Sequence, residues 1–286
     1  MTLIRQLAAA APVVTDGAWG TQLQARGLSA GECPDVWNLT HPERVEEVAR
    51  AYVDAGSRVI LTNTFRANRL TLAGYGLADK VAEINRAGAA ISRRAAAGRA
   101  HVFASIGPTG KLLMTGETTE EELLAAFTEQ AQALAEGGAE AILVETMSDL
   151  AEAKLALRAA RQTGLPVVVS MVFDSGKNKD CTMMGATPEQ AAQELTEAGA
   201  AAIGANCGSG IAAYVPICRR LRAATARPIW IKPNAGLPEL LDGRTVYRAT
   251  PEEFASHLPA LIEAGATFIG GCCGTGPEFI RKIVGR

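Results

Sequence analysis

The chain has 286 residues, 48% of them hydrophobic, a formal charge of -2 and a pI near 6.0. This near-neutral balance, with no run of Lys or Arg interleaved with aromatics, argues against nucleic acid as a partner. No apolar run approaches the roughly 18 to 20 residues of a membrane helix. Cleavage after Leu7 to Val14, the single candidate export segment, would cripple the first strand, so a cytoplasmic location is expected.

In chain order, Val13 to Asp16 is short, apolar and followed by Gly17 and Gly20, which reads as a strand entering a loop. Pro42 to Ala55 has helical periodicity, with Val45, Val48, Ala49 and Tyr52 on one face. Further strands are expected at Arg58 to Thr62, Val102 to Ile106, Ala141 to Glu145, Val167 to Met171, Ala202 to Asn206, Ile229 to Lys232 and Thr267 to Gly271. Alanine-rich helical stretches alternate with them: Asp79 to Ala97, Thr119 to Glu136, Asp149 to Gln162, Pro188 to Ala198, Ala212 to Ala224, Pro251 to Ala264 and Pro277 to Val284. Short apolar strands between amphipathic helices predict a parallel sheet buried on both faces. Eight such units predict a single α/β (β/α)8 barrel of the TIM type over residues 1–286. A doubly wound open sheet is the second choice, and no G-x-G-x-x-G follows the first strand to support it.

An internal repeat supports the barrel. Four helices run into a glycine, at Gly56, Gly138, Gly199 and Gly265, the residue suited to a left-handed helix terminus. Seven positions beyond each stand Asn63, Glu145, Asn206 and Cys272, all polar or metal-binding and all after an apolar run. In a barrel these positions are equivalent and lie at the carboxyl ends of strands, where active sites of this fold sit.

Two of those strand ends carry cysteines. Cys272 and Cys273 are adjacent, so they do not readily bridge each other but can share a metal, and Cys207, before Gly208, offers a third thiolate. Three thiolates suit a catalytic zinc with one position open at the barrel mouth. Taken singly, each cysteine could equally be a small buried hydrophobe. Asn234, in Pro233-Asn234-Ala235-Gly236, is a candidate exchangeable ligand or a turn asparagine. Cys33, Cys181 and Cys218 have no partners in sequence and are expected to be structural. His41, His101 and His257 lack metal-ligand spacing. Trp19 and Trp37, in the long loop after the first strand, offer aromatic faces to a cationic methyl donor, but packing is the expected role of both. Gly107 to Gly110 and Ala18 to Thr21 are glycine-containing loops able to receive a carboxylate on backbone N–H groups or to serve only as tight turns.

Asn206-Cys207 with Gly271-Cys272-Cys273-Gly274 resembles the zinc site of the homocysteine S-methyltransferase family. Asp16-Gly17-Ala18-Trp19-Gly20-Thr21, Thr62-Asn63-Thr64-Phe65, Gly107-Pro108-Thr109-Gly110, Glu145-Thr146 and Pro233-Asn234-Ala235-Gly236 extend the likeness over nearly the whole chain. The pattern is most similar to the homocysteine-binding module of cobalamin-dependent methionine synthase. The resemblance implies Zn2+ on Cys207, Cys272 and Cys273, which would also be the catalytic residues, and homocysteine or a similar small thiol as acceptor. Asp16 and Glu145 would hold the substrate ammonium, with Gly17, Asn206 and Asn234 beside it.

The expected reaction is transfer of a methyl group to the homocysteine thiolate, giving methionine. The expected donor is methylcobalamin, free or on a separate corrinoid protein, since the chain carries no D-x-H-x-x-G corrinoid motif. S-methylmethionine or S-adenosylmethionine as donor, or a corrinoid-linked transfer to another acceptor, are the alternatives. Two other classes stay open: a zinc- or thiol-binding barrel without catalysis, and a metal-independent aldolase-type barrel using Lys232.

Overall fold

The alternation of strands and helices runs through residues 2–241 and 244–285, which the structure, a computed structural model, describes. The barrel strands are β1 (Val13–Val14), β2 (Val59–Ile60), β3 (His101–Ile106), β4 (Ala141–Met147), β5 (Val167–Met171), β6 (Ala202–Gly210) and β7 (Ile229–Asn234). A hairpin, β8 (Glu239–Leu241) with β9 (Arg244–Val246), precedes the last barrel strand, β10 (Ala266–Ile269). The eight barrel strands pair in parallel in the order β1-β10-β7-β6-β5-β4-β3-β2. The ends meet where Arg58 N–H donates to Val14 O at 2.8 Å and Thr15 bridges Val59 in parallel, so the sheet curls into the expected (β/α)8 barrel.

Short polar residues start the helices where their side chains can satisfy orphan N–H groups. Thr119 and Thr250 form reciprocal capping boxes with Glu122 and Glu253, and Asp149 and Thr187 cap their helices directly. The four repeat glycines end theirs at φ of 100°, 96°, 93° and 103° for Gly56, Gly138, Gly199 and Gly265. The stretch expected as one helix over Pro251 to Ala264 divides into Pro251–Ser256 and Leu258–Glu263. Pro259 explains the break, because it has no N–H for the ladder and its ring crowds the preceding turn. The short helices Leu3–Ala8, Trp19–Gln24, Trp37–Thr40 and Arg69–Ala73 and the hairpin carry no clear periodicity and were not expected.

Side chains alternate across each strand. Outward residues such as Ile142, Val144, Ile203 and Ile231 join the main core under the helices. Inward residues form a second core of Val13, Val59, Leu61, Phe103, Leu143, Val168, Trp230 and Phe268, closed from below by Ile4 and Leu7 of the first helix. Trp230 lies between Phe103 and Phe268, with ring centroids 5.8 and 5.4 Å away. Gly204 lets the backbone of the neighbouring strand approach: a Cβ there would lie 1.9 Å from the Trp230 carbonyl oxygen. Above the aromatic layer the inward positions turn polar, and the site begins.

Candidate active site

Cys207, Cys272 and Cys273 converge at the carboxyl ends of β6 and β10. Their Sγ atoms all lie within 4.8 Å of one another, and Cys272 Sγ is 4.0 Å from Cys273 Sγ. Thiolates about 2.3 Å from a tetrahedral zinc are about 3.8 Å apart, so the three fit one ion with little movement. The three thiols could hold a metal ion, and it is the set of three ligands found among the described residues.

Backbone geometry aims these thiols. The β6–β7 register shifts between Cys207 and Gly210, and Cys207 takes φ 66°, a left-handed conformation that costs a non-glycine residue energy. A second irregularity in β4 accompanies φ 60° at Thr146. Bulges beside active sites commonly re-aim a side chain in this way. Tyr214 OH holds the Cys207 carbonyl at 2.5 Å. The other loop is pinned on both sides, by Cys272 N to Pro233 O at 2.7 Å and Gly271 N to Asp16 O at 3.0 Å.

Asn234 and Asn206 tie the ligand loops together. Asn234 Nδ2 donates to Gly208 O at 2.9 Å and its Oδ1 accepts Cys273 N–H at 3.0 Å, so one amide spans both ligand segments. Asn206 Oδ1 accepts from Thr146 N and Ser170 Oγ at 2.9 and 2.7 Å, and its Nδ2 donates to Thr146 Oγ1 at 2.7 Å. The same Nδ2 lies 3.9 Å from Cys272 Sγ. Hydrogen bonds from Cys272 and Cys273, then from Gly208 N–H, pull the Cys207 pKa down, while the other two thiols are pushed up.

A cavity of about 290 Å³ opens over the thiols, lined among others by Trp19, Asn63, Phe65, Glu145 and Lys232. Glu145 is on its wall, where burial raises its pKa against the pull of Lys232, and Ser105 Oγ donates to its Oε1 at 2.5 Å. Gly17 is on the wall as well. Asp16 is not: it is fully buried behind it, with Oδ1 taken by Lys232 Nζ at 2.5 Å and Oδ2 by Trp19 Nε1 and Leu61 N at 2.8 and 2.7 Å. Burial lowers the Lys232 pKa, but Asp16 and Glu145 together outweigh it and hold the amine charged. An amine kept charged in an ion pair is a poor imine-forming nucleophile, which removes the basis for the aldolase alternative.

Several residues take other places than expected. Trp19, for which packing was the first expectation, lines the cavity and holds Asp16. Of the two glycine-containing loops, Ala18 to Thr21 faces the cavity, but the Gly107 to Gly110 loop is turned to Glu152, which accepts from Thr109 N and Oγ1 at 2.8 and 2.7 Å. Trp37 is buried as expected, its face covered by Arg44 at 5.6 Å. Cys33 and Cys218 are buried, and Cys181 bonds Ser175 O within a loop. Ser105 and Ser170 are the contributors that motif reasoning misses, and Lys232 enters as the ion-pair partner of Asp16. Each lies two positions beyond an inward apolar residue of its strand, so strand period alone marks them.

Fold and site together define a class: a parallel (β/α)8 barrel with three converging thiols at the carboxyl mouth. A family model described as homocysteine S-methyltransferase matches residues 13–286, and the chain belongs to that family. The methionine synthases of Mycobacterium leprae and Mycobacterium tuberculosis are each 35% identical over 95% of this chain. The chain spans 24% of the length of those relatives. Among solved structures, the metallated homocysteine methyltransferase MmuM from Escherichia coli superposes with a TM-score of 0.80 at 22% identity, covering 96% of each chain, which shows the shared fold.

Proposed function

We infer that the chain is a zinc-dependent thiol S-methyltransferase that methylates homocysteine to methionine. The observation that carries this is the pre-assembled thiol triad at the floor of a small cavity whose wall holds Glu145. Zinc on Cys207, Cys272 and Cys273 would supply Lewis acidity that keeps an acceptor thiol deprotonated at neutral pH. In the transfer the thiol proton leaves to solvent, a sulfur electron pair forms the new bond to the methyl carbon, and the donor keeps the pair of the bond that breaks.

The chain's own residues orient the acceptor. Glu145 Oε1 is committed to Ser105, which leaves Oε2 for the substrate ammonium. Asp16 acts one step back, fixing Lys232 and Trp19 in the wall. Asn234 Oδ1 accepts Cys273 N–H with one lone pair and would have a second to offer as an exchangeable ligand. Methylcobalamin, free or carried by a separate corrinoid protein, is the donor we favour, on the 35% identity to methionine synthases.

Metal analysis paired with methionine formation tests this, with methylcobalamin, S-methylmethionine, S-adenosylmethionine and betaine offered in parallel. About one zinc per chain and turnover with methylcobalamin are expected. Turnover with a sulfonium donor alone would reassign the donor. Reduced protein that binds no zinc would overturn the mechanism.

A further inference from the structure

The floor of the cavity carries an ammonium of its own. Lys232 is among the residues lining the cavity yet its side chain is only 2% exposed, and its Nζ is paired with an Asp16 that solvent does not reach. One of its three N–H donors goes to Asp16 Oδ1, and no other hydrogen-bond acceptor of Lys232 is found among the described residues. The amine is held from below by the face of Trp230, 6.0 Å from the ring centroid. Asp16 in turn is saturated by Lys232, Trp19 and Leu61.

A substrate ammonium therefore meets a cation where Asp16 alone would have offered a carboxylate. Glu145, on β4 with β5 and β6 between it and β7, offers the opposite charge, with Oε2 free of protein partners among the described residues. Cys207 of β6 and Cys272 and Cys273, just past β10, line the same cavity. One fixed cation and one fixed anion beside a metal-binding triad are complementary to a zwitterion that ends in a thiol.

We propose that Lys232 is the carboxylate anchor of the acceptor: its two remaining N–H donors bind the α-carboxylate while Glu145 binds the α-ammonium. Asp16 is then a positioning residue that holds Lys232 in place. The inference rests on the thiol-acceptor reading above and specifies its substrate as a zwitterionic α-amino acid thiol. It assigns the carboxylate to a side chain and not to the backbone N–H groups of Ala18 to Thr21 or to Arg66 at the exposed rim of the cavity.

The test is thiol binding to the zinc-loaded protein by calorimetry, without any methyl donor. Homocysteine is compared with 3-aminopropane-1-thiol, which lacks the carboxylate, and with 4-mercaptobutanoate, which lacks the amine. Loss of the carboxylate should weaken binding to the unaltered protein by about 10- to 100-fold, the worth of one or two charge-assisted hydrogen bonds. In Lys232→Met that ratio should collapse towards one while discrimination against 4-mercaptobutanoate persists, and Glu145→Gln should show the reverse. Because Lys232→Met leaves Asp16 buried without its cation, the pair Asp16→Asn with Lys232→Met is measured as well, with the same collapse expected.

Full carboxylate discrimination retained in the pair variant would overturn the proposal and return the carboxylate to the backbone loop. Its loss in Arg66→Gln with Lys232 intact would overturn it too. Failure of the zinc-loaded, unaltered protein to bind any of the three thiols would bring down the thiol-acceptor reading itself, and this inference with it.

Discussion

The two ends of the barrel interior are built on opposite principles. The amino-terminal end is filled by Ile4, Leu7, Phe103, Trp230 and Phe268, all buried, stacked and nearly devoid of polar atoms. A few ångströms above, the inward positions are Ser105, Glu145, Ser170, Asn206 and Lys232, with the thiols beyond them. Burying apolar area stabilises the first layer at about 25 cal/mol per Å². The second gains little from burial, because its charges are desolvated and only partly repaid by pairing. Stability is thus concentrated in one layer and chemistry in the next, and the strand period of two carries both on the same eight strands.

Removing one thiol should give the largest effect on function and almost none on folding. Cys272→Ala is expected to lose stoichiometric zinc and at least about 10³-fold in methyl transfer, since a metal contribution of several kcal/mol disappears. Urea unfolding of the metal-free forms should differ by about 1 kcal/mol or less. The mirror experiment is Phe103→Ala, which opens a cavity under Trp230. It should cost about 3–5 kcal/mol of stability and leave zinc stoichiometry at the unaltered value. Loss of zinc from folded Phe103→Ala would show that the layers are not separable.

The barrel and the thiol triad were legible because each leaves a periodic or compositional mark. Glycine at Gly56, Gly138, Gly199 and Gly265 marks helix ends, and the count of seven to Asn63, Glu145, Asn206 and Cys272 marks the mouth. Asp16 shows what such marks omit. Its type and position suit an ammonium ligand, but which partner a carboxylate takes depends on residues 3, 45 and 216 positions away in the chain. The Gly107 to Gly110 loop is similar, since only the packed helix bearing Glu152 decides that Thr109 turns away from the cavity. Pair identity across the barrel is a tertiary fact with no local signature.

Asp35 sharpens the contrast on the functional side, since it is buried, lines the cavity and has no salt bridge among the described residues, only the more distant charge of Arg66. Burial pushes its pKa from 3.8 up to about 6, against the pull of Arg66 N–H at 3.1 Å. A raised carboxyl pKa means the folded state binds the proton more tightly than the unfolded one. The penalty is absent below about pH 4, grows as pH rises towards 6 and is complete above it. Two pKa units correspond to about 3 kcal/mol as an upper bound. Asp35→Asn keeps the acceptor for Arg66 N–H, so it should stabilise the fold by up to about 3 kcal/mol at pH 7.5 and by almost nothing at pH 4. Equal gains at both pH values in urea unfolding would mean that desolvation of the charge is not what the layer costs.

The smallest effect concerns the seam where the layers meet. Asn206 is fully buried, last of the inward residues of β6, and its amide spends two bonds on Thr146 and one on Ser170 before it reaches Cys272 Sγ. Thr146 holds φ 60°, a conformation that needs outside support, and both of its bonds to Asn206 supply it. Asn206→Ala removes that support and should weaken zinc binding by about 10- to 100-fold, the usual worth of a group that orients metal ligands. Ser170→Ala removes a single bond to the same oxygen and leaves Thr146 N–H in place, so it should cost about threefold or less. The double variant then reads the coupling. A double variant no weaker than Asn206→Ala alone means Ser170 works only through the amide. A further loss would mean that the polar layer supports the thiols by a second route, independent of Asn206.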